Sequence, residues 1–424
     1  MPIVFVTPIA IQAQAAPVAF SLETAVAASL KKSASVQIAG KVVAADQARI
    51  GVARSQGRVQ LSGNANLTRF DQATRIGFVP GAPPVQTLPN HIETYQLTAT
   101  QRIDVSGQIR MSVSQAQLQQ LADTFAASGA KRQRALLTVQ TYIMVLKSKA
   151  RVRAAQLAVK SADAHLELAQ AFFDQGIGQK VELLRAKTAV VDANIQLSTM
   201  VSAEAAARAT FNNLVDIDLS ADVDLAPIKL QEVQKPVAAL ADGAAKLRDD
   251  VLRAEVLTRA AELGIRLAGT ANKPVVGIQA QATQYPTFSF QTPRERVGAL
   301  SIGITIPITD GGLTNARTDE AAQQAAATKL EYARIRNAVA LDVTQAHIGW
   351  MHALSVANGA KEALTYATEA RDIAETRYKG QVGSYLDLLD AQVAQVRAEA
   401  QAIDTEYEAI AALAALKNAT GTQL

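Results

Sequence analysis

Two long tracts of the chain carry apolar residues at spacings of three and four. Residues 106–172 and 311–377 are rich in Ala, Gln, Leu, Glu, Lys and Arg, all strong helix formers, and the spacing predicts one uninterrupted α-helix in each. At 1.5 Å per residue, each helix would run on the order of 100 Å, far beyond the helices of ordinary globular domains. Proline supports this by where it is missing. All 13 prolines fall in the opening segment, in Pro80 to Pro89, at Pro227 and Pro236, or in Pro274 to Pro307. A proline inside a helix would cost about 3 kcal/mol.

Near those prolines the period switches to two. Val59, Leu61, Gly63, Ala65 and Leu67 alternate with Gln60, Ser62, Asn64, Asn66 and Thr68. Tyr95, Leu97 and Ala99 alternate with Gln96, Thr98 and Thr100, and Val276, Ile278, Ala280 and Ala282 with Gly277, Gln279, Gln281 and Thr283. A fourth segment sets Leu300, Ile302, Ile304 and Ile306 against Ser301, Gly303 and Thr305. Each is about ten residues long, enough for a tilted strand to cross a bilayer with apolar residues towards lipid and small polar ones towards water. A half-buried sheet in a soluble protein alternates in the same way, so the pattern alone leaves both readings open.

The chain is also an internal repeat. At an offset of 215, Val36 matches Val251, Ala45 Ala260, Ile50 Ile265 and Ala65 Ala280. After the second strand the offset becomes 205 and pairs Gly107 with Gly312, Ala116 with Ala321, Gly178 with Gly383, and Leu183 and Leu184 with Leu388 and Leu389. The change falls in the loop 69–94, which carries Pro80-Gly81-Ala82-Pro83-Pro84 and outruns its counterpart 285–296, as an exposed hairpin tip would. Each repeat reads helix, strand, loop, strand, long helix, sharp turn, helix. Four strands are too few to close a barrel, and open edges cannot be left in lipid, so the subunits must assemble. Three copies would supply three times four, or twelve, strands, with the long helices set side by side as a tube. Gly107, Gly311 and Gly312 sit where strand becomes helix.

Composition narrows the rest. Lys plus Arg (42) nearly balances Asp plus Glu (38), and a net charge of +4 is too small at this length to mark a nucleic-acid surface. Aromatics are 4%, which suits close-packed helix faces better than a large globular core. No cysteine is present, which excludes thiolate metal sites, thiol nucleophiles, disulfides and a lipidated cysteine. Residues 1–17 are apolar and pass through Ala13-Gln14-Ala15, an A-x-A pattern that reads as a signal peptide, although no Lys or Arg precedes Lys31. No later run of about 18 apolar residues marks a transmembrane helix. His91, His165, His347 and His352 are scattered, and no nucleophile elbow, phosphate loop or zinc motif emerges, so neither metal, cofactor nor enzyme activity is expected.

Two motifs then carry a resemblance. Ile306-Pro307-Ile308-Thr309-Asp310-Gly311-Gly312 is similar to the strand-ending proline and double glycine that open the second long helix in the TolC family of outer-membrane efflux proteins. The run from Arg377-Tyr378-Lys379-Gly380 through Gln381-Val382-Gly383-Ser384-Tyr385-Leu386-Asp387 to Leu388-Leu389-Asp390-Ala391-Gln392 resembles that family's periplasmic tip, with a first-half copy at 172–187. The resemblance covers 20–421. It implies a mainly α fold with a membrane β part: a trimeric twelve-stranded barrel, four strands per chain, continuous with a long α-helical barrel and internally duplicated. It divides the chain into a signal remnant at 1–15, a first repeat at 20–212, an equatorial α/β connection at 213–246, and a second repeat at 247–424 with an equatorial C-terminal end.

The function so implied is passive conduction of small molecules, such as drugs, metals or other toxic compounds, from an inner-membrane transporter and a periplasmic adaptor to the exterior. The homotrimer would sit in outer-membrane lipid of a Gram-negative bacterium and extend into the periplasm, with no nucleic acid as partner. A type I secretion duct for a protein or peptide is the alternative of the same class, and a soluble periplasmic coiled-coil adaptor or scaffold that of another. Asp387 and Asp390 match the acids at the family's tunnel entrance; Ser384-Tyr385-Leu386-Asp387 equally fits a capping box, in which the acid supports a helix start. Their first-half equivalents are Glu182 and Arg185. Tyr378 and Phe173 match across the repeat and would brace the closed tip, while Gly176, Gly178, Gly380 and Gly383 would permit its turns and Pro307 would end its strand. Where some members carry a gating arginine five residues after the tip tyrosine, this chain has Gly383.

Overall fold

The computed structural model describes residues 18–228, 236–287 and 295–422. The signal-like opening and part of the hairpin loop 285–296 therefore lie outside the described residues. In chain order the first half holds β1 (Val18–Phe20), α1 (Leu22–Lys32), α2 (Ala34–Ser55), β2 (Gln60–Arg69), β3 (Thr74–Ile76), β4 (Val85–Leu88), β5 (His91–Ile103), α3 (Gln108–Asp174) and α4 (Lys180–Val215). The second holds β6 (Val223–Leu225), α5 (Val237–Leu247), α6 (Asp249–Ala268), β7 (Val275–Gln284), β8 (Arg296–Thr305), α7 (Leu313–Lys379) and α8 (Tyr385–Ala419).

The duplication read from residue identities reappears in the element boundaries. Adding 215 to the ends of α1 and β2 gives those of α5 and β7, and adding 205 to the ends of α3 gives those of α7. Both long helices are 67 residues, and each begins and ends two residues later than the tract that predicts it. The helix expected ahead of the strands is in fact two in each repeat. It breaks at Ser33 and at Arg248, again 215 apart, where ψ opens to 118° and 130°. Two further features escaped the sequence pattern: the short hairpin β3–β4 inside the loop 69–94, and a parallel pairing of β1 with β6. Strands of three or four residues are too short to display a period.

The chain divides into two compact units, with the boundaries inside α2, α3, α6 and α7. One comprises the described residues of Met1–Gly40, Ala126–Leu252 and Ile335–Leu424. Around its β1–β6 pair, Tyr142, Val145, Phe211, Val223 and Leu225 form a buried cluster in which Phe20 and Tyr142 meet Phe211 edge-on, at 5.7 and 5.9 Å. The Tyr142 hydroxyl lies 2.7 Å from the Ala226 carbonyl and 3.0 Å from that of Phe20, so its one proton ties helix to strand ends. Burial raises its pKa to about 12. Further along, α8 is clamped to α3 by Arg151, which bonds both carboxylate oxygens of Asp404, and by Lys147, 3.3 Å from Asp404 and 3.2 Å from Glu408.

The other unit, Lys41–Phe125 and Arg253–Arg334, holds one antiparallel sheet in the order β2-β5-β7-β8. All four expected strands are present, and the β5–β7 pairing joins the two repeats. The register places Leu61, Ala99, Ala280 and Leu300 in one row and Gln60, Thr100, Gln279 and Ser301 in the next, so the apolar sides of all four strands share a face. A slip of one residue would invert every strand. Leu61, Leu300 and Ile302 are 67%, 74% and 71% exposed, so among the described residues nothing covers these positions of the apolar face. The edges β2 and β8 have no strand partner among the described residues.

Candidate functional site

The site residues expected from sequence collect in two places, one in each unit. The first is the pair of helix–turn–helix tips. After α3, the Ile177 N–H donates to the Phe172 carbonyl (3.1 Å) and the Gly176 N–H to that of Phe173 (3.0 Å). After α7, Val382 and Gln381 donate to Arg377 and Tyr378 in the same way, both at 3.0 Å. Each is a Schellman closure, which needs one residue in the left-handed conformation to turn the chain off the helix axis. That residue is Gly176 (φ 77°) in the first tip and Gln381 (φ 58°) in the second. Gly380, the turn residue expected from sequence, stands just before it and is not left-handed. The shared glycines Gly178 and Gly383 serve close approach instead. A Cβ at Gly178 would lie 2.9 Å from the Phe173 nitrogen, and one at Gly383 2.9 Å from the Arg377 Cβ.

Ser384 opens α8 with a capping box: its hydroxyl accepts from the Asp387 N–H at 3.1 Å, and its own N–H donates to the Asp387 carboxylate at 3.4 Å. Asp387 therefore caps. It is also exposed, as is Asp390 one turn on, and among the described residues neither forms an ion pair. Tyr385 and Leu388 on the same helix turn are fully buried. With Ala169, Ala186 and Tyr378 they make the tip core, against which Phe172 and Leu389 pack. Tyr378 lies 5.5 Å from both Phe172 and Tyr385, ring to ring. Within the chain, then, the ring on Tyr378 is Phe172, not its repeat equivalent Phe173, which is 38% exposed.

Glu182 is half-buried beside the tyrosine pair, and Arg185 is exposed one turn further along α4. Burial and then the Glu182 charge push the Tyr378 phenol up to about 12, and the same two causes raise Tyr385. The Tyr378 hydroxyl is buried and has no hydrogen-bond partner among the described residues. Just behind the tip, Arg371 and Lys379 bracket Glu375 at 2.8 and 2.7 Å, and Arg371 also reaches Gln395 on α8 at 3.1 Å. Lys379 donating to Glu375 holds that carboxyl below its ordinary range. Opposite stands His165 of α3, 5% exposed; burial lowers its pKa against the pull of Glu375, and Lys379 and Arg371 lower it further. In the sequence His165 is one of four scattered histidines. The i, i+4 spacing of Arg371, Glu375 and Lys379 was the legible signal beside it.

The second place is the strand-to-helix junctions. Gly107, Gly311 and Gly312 have φ of 74°, 65° and 89°, so each occupies backbone that a side chain would strain. Acids close both helix starts. The Asp104 carboxylate accepts from the N–H groups of Ile109 (3.0 Å) and Arg110 (2.9 Å), and that of Asp310 from those of Gly312 (3.0 Å) and Thr314 (2.8 Å). Pro307, which has no N–H to donate, stands two residues after β8.

Comparison with known proteins bears on the fold and the family. The sequence profile of the "Outer membrane efflux protein" family matches residues 26–215 and 240–422. "Outer membrane efflux protein BepC" of Brucella suis is 24% identical over 382 residues, which cover 88% of this chain and 79% of that protein. Among solved structures, the outer membrane protein VceC of Vibrio cholerae superposes with a TM-score of 0.79 at 19% identity, over 95% of this chain and 96% of VceC. The CmeC outer membrane channel of Campylobacter jejuni does so with a TM-score of 0.78 at 17% identity, over 94% and 85%. Both are likenesses of fold, and both extend over nearly the whole length.

Proposed function

Because the chain belongs to the outer membrane efflux protein family, we propose that three copies close their four-stranded sheets into one twelve-stranded membrane barrel and set their long helices side by side as a periplasmic tunnel. The chain is an outer-membrane efflux channel subunit that reaches into the periplasm. One observation carries the three-copy reading. Among the described residues the sheet has two unpaired edges, β2 and β8, and an exposed apolar face backed by a face rich in amides and hydroxyls. Such a sheet is stable in a bilayer only when copies of it pair edge to edge and the polar face encloses water. No helix among the described residues is long and apolar enough to cross a membrane.

On this reading the chain divides as its repeats do, with 20–212 and 247–424 as the two structural halves and 213–246 as the equatorial connection between them. The tips form the periplasmic constriction. Asp387 and Asp390 contribute six carboxylates from three copies to the entrance and attract cations there. The capping bond and the pore position are compatible, since the capping carboxylate stays exposed. Tyr378, with Phe172, Tyr385 and Glu182, holds the closed packing; Arg185 and Phe173 face the neighbouring helices. The exposed turns at Gly176, Gly178, Gly380 and Gly383 receive a periplasmic adaptor. Conduction is passive, a pump in the inner membrane drives it, and the cargo is a small molecule such as a drug or a toxic metal.

Single-channel recording of the purified protein in planar bilayers tests the duct and the gate together. Expected are small cation-selective currents that multivalent cations block from the periplasmic side, and loss of that block in Asp387→Ala/Asp390→Ala. Channels blocked equally in parent and variant would remove the acidic gate and leave the duct. Well-folded protein that never inserts would remove the duct.

A further inference from the structure

The polar face of the sheet is built almost wholly without charge. Its side chains are Gln60, Ser62, Asn64, Asn66 and Thr68 on β2, Gln96, Thr98 and Thr100 on β5, and their partners in the register on β7 and β8. One ionisable residue interrupts it. Arg102 lies on this face at the end of β5, six residues before α3 begins. Across the sheet its row continues through Gly277 and Gly303, neither of which offers a side chain. A Cβ placed on Gly303 would meet nothing within 4 Å, and one on Gly277 only the Gln101 carbonyl at 3.9 Å. The space over two strands beside the guanidinium is therefore open.

Among the described residues no acid pairs with it. Its one described contact is a bond from Nη2 to the neutral Gln108 side chain at 3.0 Å, which fixes its direction and leaves its charge. The nearest acid in sequence, Asp104, is engaged by the backbone N–H groups of Ile109 and Arg110.

We propose that Arg102 sets the charge preference of the β-barrel lumen, as a ring of three permanent positive charges where barrel meets tunnel. The inference rests on the three-copy barrel proposed above. The lumen there is lined by uncharged side chains, amides and hydroxyls with a few small or apolar residues, so three uncompensated cations dominate its field, repel cations and concentrate anions. Their sign is opposite to that of Asp387 and Asp390, so on this reading the cargo meets carboxylates at the tips and guanidinium groups at the strand-to-helix junction. Arg102 is thus a specificity-determining residue for the dissolved cargo.

The test is ion selectivity in planar bilayers under a KCl gradient. Arg102→Gln is expected to raise the cation-over-anion permeability ratio about twofold or more, while Arg102→Lys keeps the parent ratio. Arg69→Gln, which removes the same charge from the rim of the apolar face, leaves the ratio unmoved. If Arg102→Gln does not assemble, Arg102→Cys serves, because the chain has no other cysteine. Modifying it in the open channel with a cationic thiol reagent must lower the ratio, and with an anionic one raise it. A ratio unchanged in Arg102→Gln, or shifted equally by Arg69→Gln, overturns the inference and leaves the barrel standing. A parent protein that forms no channels overturns the barrel reading, and this inference with it.

Discussion

A left-handed glutamine is the weakest joint in an otherwise matched pair of turns. Gln381 holds a φ of 58°, where its repeat equivalent Gly176 holds 77° without a Cβ. The left-handed region costs a side-chain-bearing residue about 1–2 kcal/mol, and glycine returns about 0.5–1 kcal/mol of that as unfolded-state entropy. Gln381→Gly is therefore expected to stabilise the second tip by about 0.5–1 kcal/mol. The reverse exchange, Gly176→Gln, should destabilise the first by a similar amount. Hydrogen exchange of the amides on either side of each turn reads both; equal protection in parent and variants would show that neither turn is strained.

At the scale of elements, the α3–α7 contact behind the tip depends on His165 staying neutral. Its folded pKa is lowered, so below the ordinary histidine pKa of about 6.5 the separated helices bind a proton that the packed ones resist. Stability of the contact is thus full above that value and falls as pH drops towards the folded pKa. Glu375, whose pKa is also lowered, adds a second loss at more acid pH, beginning near its own unfolded value. Amides flanking His165 and Glu375 should lose protection between pH 7.5 and 5.5, after correction for intrinsic rates, and His165→Gln should flatten that step. An unchanged step in the variant would assign it elsewhere.

The long helices, the four strands and the repeat were legible because each rests on a period or an offset sustained over many residues. The breaks at Ser33 and Arg248 were not, since one opened ψ leaves no mark on a hydrophobic pattern. At the tip the residues around the turn could be read, but not which of two adjacent phenylalanines meets Tyr378. That choice depends on how two helices distant in sequence are rotated against each other. The same holds for His165, whose surroundings come from α7, some 200 residues away.

For the whole molecule, the order β2-β5-β7-β8 places the start of the first repeat's hairpin and the end of the second's at opposite edges. A ring of three copies has three seams, each made by β8 of one copy and β2 of the next, and every copy takes part in two. The consequence is genetic. A copy with a spoiled β8 edge, for instance Ile302→Pro, keeps β2 and can still enter the ring, where it leaves a seam open. Expressed at parity with the intact gene, it would leave only about one ring in eight free of the defect. Such an allele should be dominant, lowering efflux in cells that still carry a good copy of the gene. A lesion in both edges at once should be recessive, because that subunit never joins. Resistance of merodiploid cells to an exported toxicant separates the two alleles, and equal behaviour of the pair would contradict edge-to-edge closure.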